Sequence, residues 1–316
     1  LSDNELVARA RLTQPMLQTG FRHHGIASSA SGVAPGILFA IGQAIGDPAM
    51  PMTMCAGIGH VDSAEPSYRM WDLSRAVRSS VPLTAVFDAG VDGLLDRLGA
   101  DDSPDAAAFL SSWDQFLVDF GSRGLSEWEM TSATWETEPE LALGALNQIR
   151  HQNDEESPLI RNQAKADERA AKTAEVRAVV AALGNEELNA QLEGAIVATN
   201  QLGFRERTKT NLVRVVHEGR MAFRELGRRH AEAGNLNDPE HIFMLLDDEV
   251  ETFVANPGSM TDTLAQRHVD WRELRELDPP FIIADGDVPP LPEWSRKVEV
   301  VVEAVAAGDV LQGVPG

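Results

Sequence analysis

Cysteine is nearly absent from this chain, in which Cys55 is the only one among 316 residues. One cysteine cannot form an intrachain disulfide bond, and it cannot supply the several thiolates of a cysteine-based zinc site. The fold must therefore depend on a packed core. We expect a reducing, cytoplasmic environment for such a chain.

Basic residues are also in the minority, since 27 Lys and Arg stand against 49 Asp and Glu and give a net charge of −22. A surface this acidic repels the phosphate backbone of nucleic acids and the headgroups of anionic membranes. No uninterrupted apolar run approaches the roughly 20 residues needed to span a bilayer. The composition therefore favours a small molecule or another protein domain as partner, and neither nucleic acid nor membrane.

Apolar residues are plentiful by contrast, at 43% of the chain with 24% charged residues, which is typical of a folded protein and not of a disordered one. Their spacing of three or four positions predicts helices along most of the sequence. The clearest helix begins near Gly203, with a stripe formed by Leu212, Val216, Gly219, Phe223 and Leu226. We predict an all-α, multi-helix bundle around an apolar cavity, with at most a short strand near residues 281–284.

Caps and turn residues place the other predicted elements along the chain. Ser2 and Glu5 have the spacing of a capping box that begins a first helix. The other predictions are a packed helix or helix pair over 25–51, a loop over 57–68, a helix from Met70, single helices over Leu83–Leu98 and Pro104–Phe120, a break at 153–158, a helix over Thr261–Leu277 and a last helix over Trp294–Ala307.

Three stretches share letters with one known family. The most specific is Phe120–Pro139, with Gly121, Arg123, Glu127, Glu129, Trp135 and Pro139. The long helix and its sequel add Arg205-Glu206, Lys209, Arg220, Leu226-Gly227, Asp238-Pro239 and Asp248-Glu249, and a loop adds Val61, Ser63 and Glu65. The chain resembles the central domain of the phosphoenolpyruvate-utilising phosphotransferases, the phosphoenolpyruvate synthase and rifampicin phosphotransferase group.

This resemblance implies a division of labour between domains. Residues 1–312 would be a helical, substrate-binding central domain that can be subdivided near 153–158, and 313–316 would begin a linker to a swivelling histidine domain. The chain has no Gly-rich phosphate-binding loop, and none of its eight histidines has the family's phosphohistidine setting. We therefore expect a piece of a longer, ATP-dependent phosphotransferase. On its own it would hold no cofactor or metal and would not be catalytic, while the parent enzyme would use ATP and Mg²⁺.

The resemblance also implies where a small-molecule acceptor would bind. The predicted substrate-binding residues are Ser63, Glu65, Arg123, Glu127, Arg205 and Lys209. Arg123 has two interpretations, since it can pin the local backbone by pairing with Glu127 or Glu129, or present its donors to a ligand oxygen. Ser63 can likewise contact a ligand or only cap the following turn.

Several alternatives stay open at this stage. The basic residues between Arg205 and Arg229 can receive a phosphorylated domain or an anionic substrate, or form an ordinary helix face paired with acidic neighbours. The whole chain can be a helical scaffold or regulatory module without a ligand. A remote alternative is a magnesium-dependent enzyme similar to terpene synthases that uses Asp247, Asp248 and Glu251, although aromatic residues at 6% are few for a carbocation pocket.

Overall fold

The computed structural model describes residues 1–59, 61–283 and 286–297, and they fold mainly into helices. Their two short strands, β1 (Leu277–Asp278) and β2 (Ser295–Arg296), pair antiparallel. The prediction of a mainly α-helical fold is therefore confirmed. The α-helices are α1 (Asp3–Ile45), α2 (Met50–Met54), α3 (Glu65–Ser79), α4 (Val81–Asp88), α5 (Leu94–Gly99), α6 (Pro104–Phe120), α7 (Pro139–Ile149), α8 (Pro158–Ala182), α9 (Glu186–Ala198), α10 (Leu202–Glu232), α11 (Val250–Ala255) and α12 (Thr261–Arg275).

The first helix, α1, is longer than the sequence predicted. The capping box is present, since the Glu5 amide donates to the Ser2 hydroxyl over 3.3 Å and the Ser2 amide donates to the Glu5 carboxylate over 2.6 Å. The helix then continues for 43 residues, through the stretch predicted as a separate helix or helix pair, until Gly46 adopts the left-handed conformation. By length and composition alone α1 could cross a membrane, and 33% of its most apolar window is buried.

Two clusters of buried side chains hold most of the helices together. One is built by α3 to α7 around the stacked rings of Phe109, Trp113 and Phe116. The other joins α1, α2, α8 and α9 through Leu38, Ile41, Met50, Met54, Val176, Val180, Leu192 and Ala195. Removing such apolar surface from water is the main driving force for the fold.

Glycine explains why the single helix predicted over Leu83–Leu98 is wrong. Gly90 and Gly93 have φ angles of 99° and 62°, a region that other residues rarely adopt. They separate α4 from α5, and Arg97 donates from α5 to the backbone carbonyls of Asp92 and Gly90. The chain therefore makes a stapled turn where apolar periodicity indicated a continuous helix.

Three further predictions differ from the structure. Helix α3 begins at Glu65 instead of Met70. Residues 281–283 form no strand, because Phe281 is fully exposed and has no partner strand; Ala284 lies outside the described residues. Where the last helix was predicted to begin, Ser295–Arg296 pairs with Leu277–Asp278 instead. The remainder of that predicted helix and the predicted linker at 313–316 lie outside the described residues.

The chain divides into two compact units, Leu1–Glu225 and a second that begins at Leu226, with the boundary inside α10. In the second unit Gly227 allows a short 3₁₀ helix, Pro239–Met244, to approach α10 closely, because a Cβ at Gly227 would overlap the carbonyl oxygen of Pro239. The subdivision near 153–158 stays a prediction, and a 3₁₀ helix, Asp154–Glu156, forms there before α8.

An ion pair in the second unit predicts an acid-sensitive contribution to stability. Arg267 donates to both carboxylate oxygens of Glu249 over 2.6 and 2.8 Å, and the Leu246 amide donates over 3.0 Å. These contacts, Arg267 foremost, lower the pKa of Glu249 to about 2. A depressed carboxyl pKa stabilises the fold above the unfolded value near 4.5, and that contribution is lost as the pH falls toward 2.

We therefore expect Glu249→Gln to lower the thermal midpoint of unfolding at pH 6, and the gap to wild type to narrow steadily as the pH falls to 3. Thermal melts of both proteins across this range measure the gap. Glu273→Gln, which changes an exposed carboxylate of α12, is the matched control and should show no such convergence. A difference in thermal midpoint that stays constant with pH would contradict a stabilising role for the Glu249–Arg267 ion pair.

Candidate functional site

The candidate site is organised by the irregular segment between α6 and α7, residues 121–138, which we call the site loop. Its arms are joined where the Trp135 amide donates to the Arg123 carbonyl over 2.9 Å and the Glu136 amide donates to the Gly121 carbonyl over 3.0 Å. Gly124 permits this approach, because a Cβ there would overlap the Ala133 carbonyl oxygen. The site loop is therefore a closed, folded structure.

A buried arginine on α10 fixes the tip of the site loop. Arg220 is 0% exposed, and it donates to the backbone carbonyls of Glu127, Glu129 and Met130 over 2.9, 2.8 and 3.2 Å. Burial lowers its pKa, an effect partly offset by the Glu129 and Glu127 carboxylates. A guanidinium nevertheless stays charged at neutral pH, so these are charge-assisted hydrogen bonds. Arg220 was predicted from the sequence to belong to a basic helix face, whereas in the structure it is an internal anchor.

His217, one helical turn before Arg220, extends this network. Its Nδ1 lies 3.0 Å from Nη1 of Arg220, and its Nε2 lies 2.8 Å from a carboxylate oxygen of Glu136. An arginine can only donate, so Nδ1 must accept and the proton of the neutral ring must sit on Nε2. His217 therefore donates to Glu136. This link between Arg220 and Glu136 was not predicted from the sequence, although His217 and Arg220 lie three residues apart beside the apolar stripe.

Three of the six predicted site residues come together in the structure. Arg123 Nε lies 2.9 Å from one carboxylate oxygen of Glu127, and Lys209 Nζ lies 3.5 Å from the other. Arg123 and Glu127 are nearly buried, while the Lys209 side chain keeps 34% of its surface exposed. Of the two pairings predicted for Arg123, the structure shows the one with Glu127.

The other three predicted residues lie elsewhere. Ser63 is exposed in the turn before α3, and Glu65 is the first residue of that helix. Arg205 pairs with its neighbour Glu206 over 2.6 Å. The 61–65 segment faces α10 through Asp62, which lies 3.4 Å from Arg207. Since Arg207 and Lys209 are two positions apart, they point to different sides of α10.

An open hollow of about 600 Å³ lies beside Glu127 and Lys209. The lining mixes charge with exposed apolar surface, because Leu125 is 95% exposed and Trp128 is 43% exposed. The Trp128 ring stacks on Phe21 of α1 at a centroid distance of 5.7 Å. The hollow therefore offers an apolar ledge next to an ammonium group and two carboxylates, those of Glu127 and Glu129.

A second open groove, of about 480 Å³, lies between α1 and α10. Its lining is mostly apolar and consists of Pro15, Met16, Thr19, Gly20, His23, Thr208, Asn211, Leu212 and Val215. The two helices touch where Gly20 faces Leu212, because a Cβ on Gly20 would overlap that leucine. None of the six predicted site residues lines this groove.

The remote alternative, a magnesium-dependent enzyme similar to terpene synthases, requires several metal-binding side chains to lie together. In residues 1–59, 61–283 and 286–297, no cluster of three or more His, Cys, Asp or Glu side chains is placed to hold a metal ion. Asp247 and Asp248 belong to a short 3₁₀ helix, and Glu251 follows in α11. The structure therefore gives no support to a magnesium site formed by these three residues.

Comparison with known families places the chain. Residues 24–206, more than half of it, match the family described as the rifampicin phosphotransferase fourth domain. The chain belongs to this family. The match contains the whole site loop with Arg123 and Glu127, and it ends three residues before Lys209. The predicted resemblance to phosphoenolpyruvate-utilising phosphotransferases is thereby confirmed.

Curated relatives in mycobacteria share part of this sequence. Proteins described as uncharacterized in Mycobacterium bovis and in Mycobacterium tuberculosis strain H37Rv are each 35% identical over 120 residues. That stretch is 38% of this chain and 13% of each relative. The chain thus matches only a small part of each of these longer relatives.

Proposed function

We propose that this domain binds the acceptor of a phosphoryl group within a rifampicin phosphotransferase-like protein in the cytoplasm. An ATP-grasp domain and a swivelling phosphohistidine domain of the whole protein would supply the phosphoryl group, using ATP and Mg²⁺. The observation that carries the proposal is the hollow lined by Glu127, Lys209 and Trp128. The Trp128 ring is held there by stacking on Phe21.

The chemistry of the hollow suits an acceptor that carries a hydroxyl group next to an apolar part, because charged side chains line it together with Leu125 and Trp128. The Glu127 carboxylate can accept a hydrogen bond from that hydroxyl, which raises the electron density on the oxygen that attacks phosphorus. Lys209 is exposed enough to meet a phosphoryl oxygen and offset its negative charge. Trp128 and Leu125 present apolar surface for the remainder of the molecule.

The family description makes a rifamycin the first acceptor to test. Calorimetric titration of the 316-residue chain with rifampicin should show saturable binding with one site per chain. Binding must also raise the unfolding temperature, because a ligand that binds only the folded state stabilises it by mass action. If neither rifampicin nor phosphoenolpyruvate nor pyruvate gives a signal, a helical scaffold without a ligand becomes the better interpretation.

Two substitutions should separate the polar from the apolar part of the hollow. Lys209→Met removes the exposed cation and should weaken rifampicin binding about tenfold, the effect of one charge-assisted hydrogen bond. Trp128→Ala removes the aromatic ledge and should weaken it about two- to tenfold. Both affinities can be measured by the same titration.

The matched control is Lys165→Met, which removes an exposed cation of α8 that does not line the hollow. Its affinity for rifampicin should equal that of wild type. Equal losses in Lys165→Met and Lys209→Met would mean that net charge, and not the hollow, sets the affinity.

A further inference from the structure

His217 connects the buried anchor of the site loop to its last residues. Its ring is 5% exposed, lies between Arg220 and Glu136, and uses both nitrogens in hydrogen bonds. The network runs from the loop tip, where Arg220 holds three carbonyls, to Glu136, whose amide closes the base of the loop on Gly121. One imidazole thus connects the tip of the site loop to its base.

We propose that His217 is a positioning residue for the candidate site and that its protonation releases the site loop. The neutral ring accepts from Arg220 at Nδ1, whereas a protonated ring carries a hydrogen there. Two donors then face each other over 3.0 Å in a buried position, and that hydrogen bond cannot persist. Acidification, which protonates the ring, is therefore the trigger.

Charged groups contact this network from both α10 and the site loop. Arg220 contacts it directly from α10, and Arg224 adds positive charge near Arg220. Glu136 is the carboxylate that contacts the ring, with Glu127 and Glu129 acting on Arg220 from the loop tip. Glu136 is 42% exposed, so solvent weakens its attraction for an imidazolium. Protonation of the ring therefore sets the buried contact with Arg220 against a solvent-exposed contact with Glu136.

Hydrogen exchange of the ligand-free chain tests the proposal. After correction for the intrinsic pH dependence of exchange, amides of the site loop should exchange about tenfold faster at pH 5.5 than at pH 7.5, the effect of losing one charge-assisted hydrogen bond. His217→Gln should abolish this increase, because the glutamine amide can accept from Arg220 and donate to Glu136 without titrating. His151→Gln, which replaces an exposed histidine after α7, is the control and should retain the increase.

A second variant keeps the test decisive if His217→Gln fails to fold. Glu136→Gln removes the carboxylate that attracts the protonated ring in the closed loop, while leaving an acceptor oxygen. The closed loop is then less stable once His217 is protonated, so loop opening should occur at a higher pH than in wild type. An increase that persists in His217→Gln, or no increase in wild type, would overturn the proposal.

The functional side of this inference rests on the acceptor-binding role proposed above, but the exchange readout does not. If the loop opens in acid and no acceptor binds, the proposed function is contradicted, but the release of the site loop by His217 protonation is supported. If rifampicin binds with equal affinity at pH 5.5 and 7.5 and the exchange of the loop amides does not change between these pH values, the role of His217 is contradicted and the acceptor site is supported.

Discussion

Arg220→Met should lower the free energy of unfolding by about 3–5 kcal/mol, the largest effect we expect from a substitution at the candidate site. Methionine fills part of the volume but donates no hydrogen bond. The carbonyls of Glu127, Glu129 and Met130 would lose their shared partner, and each unsatisfied carbonyl that stays buried costs about 1–3 kcal/mol. Part of that cost is avoided where the loop opens to water.

Chemical denaturation followed by circular dichroism measures this loss. Arg220→Lys should recover little of it, because an ammonium group cannot reproduce the planar fork that reaches three carbonyls. Arg207→Ala removes an exposed arginine of the same helix and should change stability by less than about 0.5 kcal/mol. An Arg220→Met protein within about 1 kcal/mol of wild type would show that the buried anchor is dispensable.

Trp113→Ala should cost about 3–5 kcal/mol by opening a cavity in the main core. The ring is 1% exposed and stacks between Phe109 and Phe116 at centroid distances of 6.4 and 5.2 Å. Its indole nitrogen is buried without a hydrogen-bond partner. Trp113→Phe should therefore lose less than half as much, because it keeps an aromatic ring and removes the unsatisfied donor.

Thermal and denaturant unfolding of both variants provide the comparison. Leu125→Ala, at a side chain that is 95% exposed, should be almost neutral and serves as the control. If Trp113→Phe proves as destabilising as Trp113→Ala, then the shape of the indole, and not aromatic burial alone, holds this cluster together.

The core and the candidate site are physically continuous. Trp113 stacks on Phe116, and Phe116 stacks on Trp135 of the site loop at 5.6 Å. The Trp135 amide then closes the loop on Arg123. A cavity at Trp113 is therefore expected to loosen the loop as well, which hydrogen exchange of the Trp135 amide would detect.

Much of this architecture could be predicted from the sequence because the signals are local. The spacing of apolar residues gave the long helix α10, and Ser103 before Pro104 gave the start of α6. The residues of the 120–139 segment, with those of the long helix and of the 61–65 loop, indicated the family. Predictions were wrong where local signals were ambiguous, as at Gly90 and Gly93, whose left-handed conformations interrupt an otherwise periodic helix.

The candidate site could be predicted only in part. Arg123 and Glu127 are four residues apart, so their pairing was predictable, and Lys209 joins them through tertiary contact. Ser63, Glu65 and Arg205 were chosen by the same resemblance, but the structure does not bring them to Glu127. Separation along the sequence could not show that Lys209 would reach Glu127 while Ser63, Glu65 and Arg205 would not.

The sequence by itself determined the helical class, since periodicity, caps and turn residues act over a few positions. Its resemblance to a known family indicated where the chain belongs. Only the tertiary structure decided that Arg220 is an anchor and His217 a connector, because their partners lie 81 to 93 residues away. In a helical pattern a buried arginine looks the same as an exposed one. What distinguishes them is whether folding delivers enough acceptors to replace water around the charge.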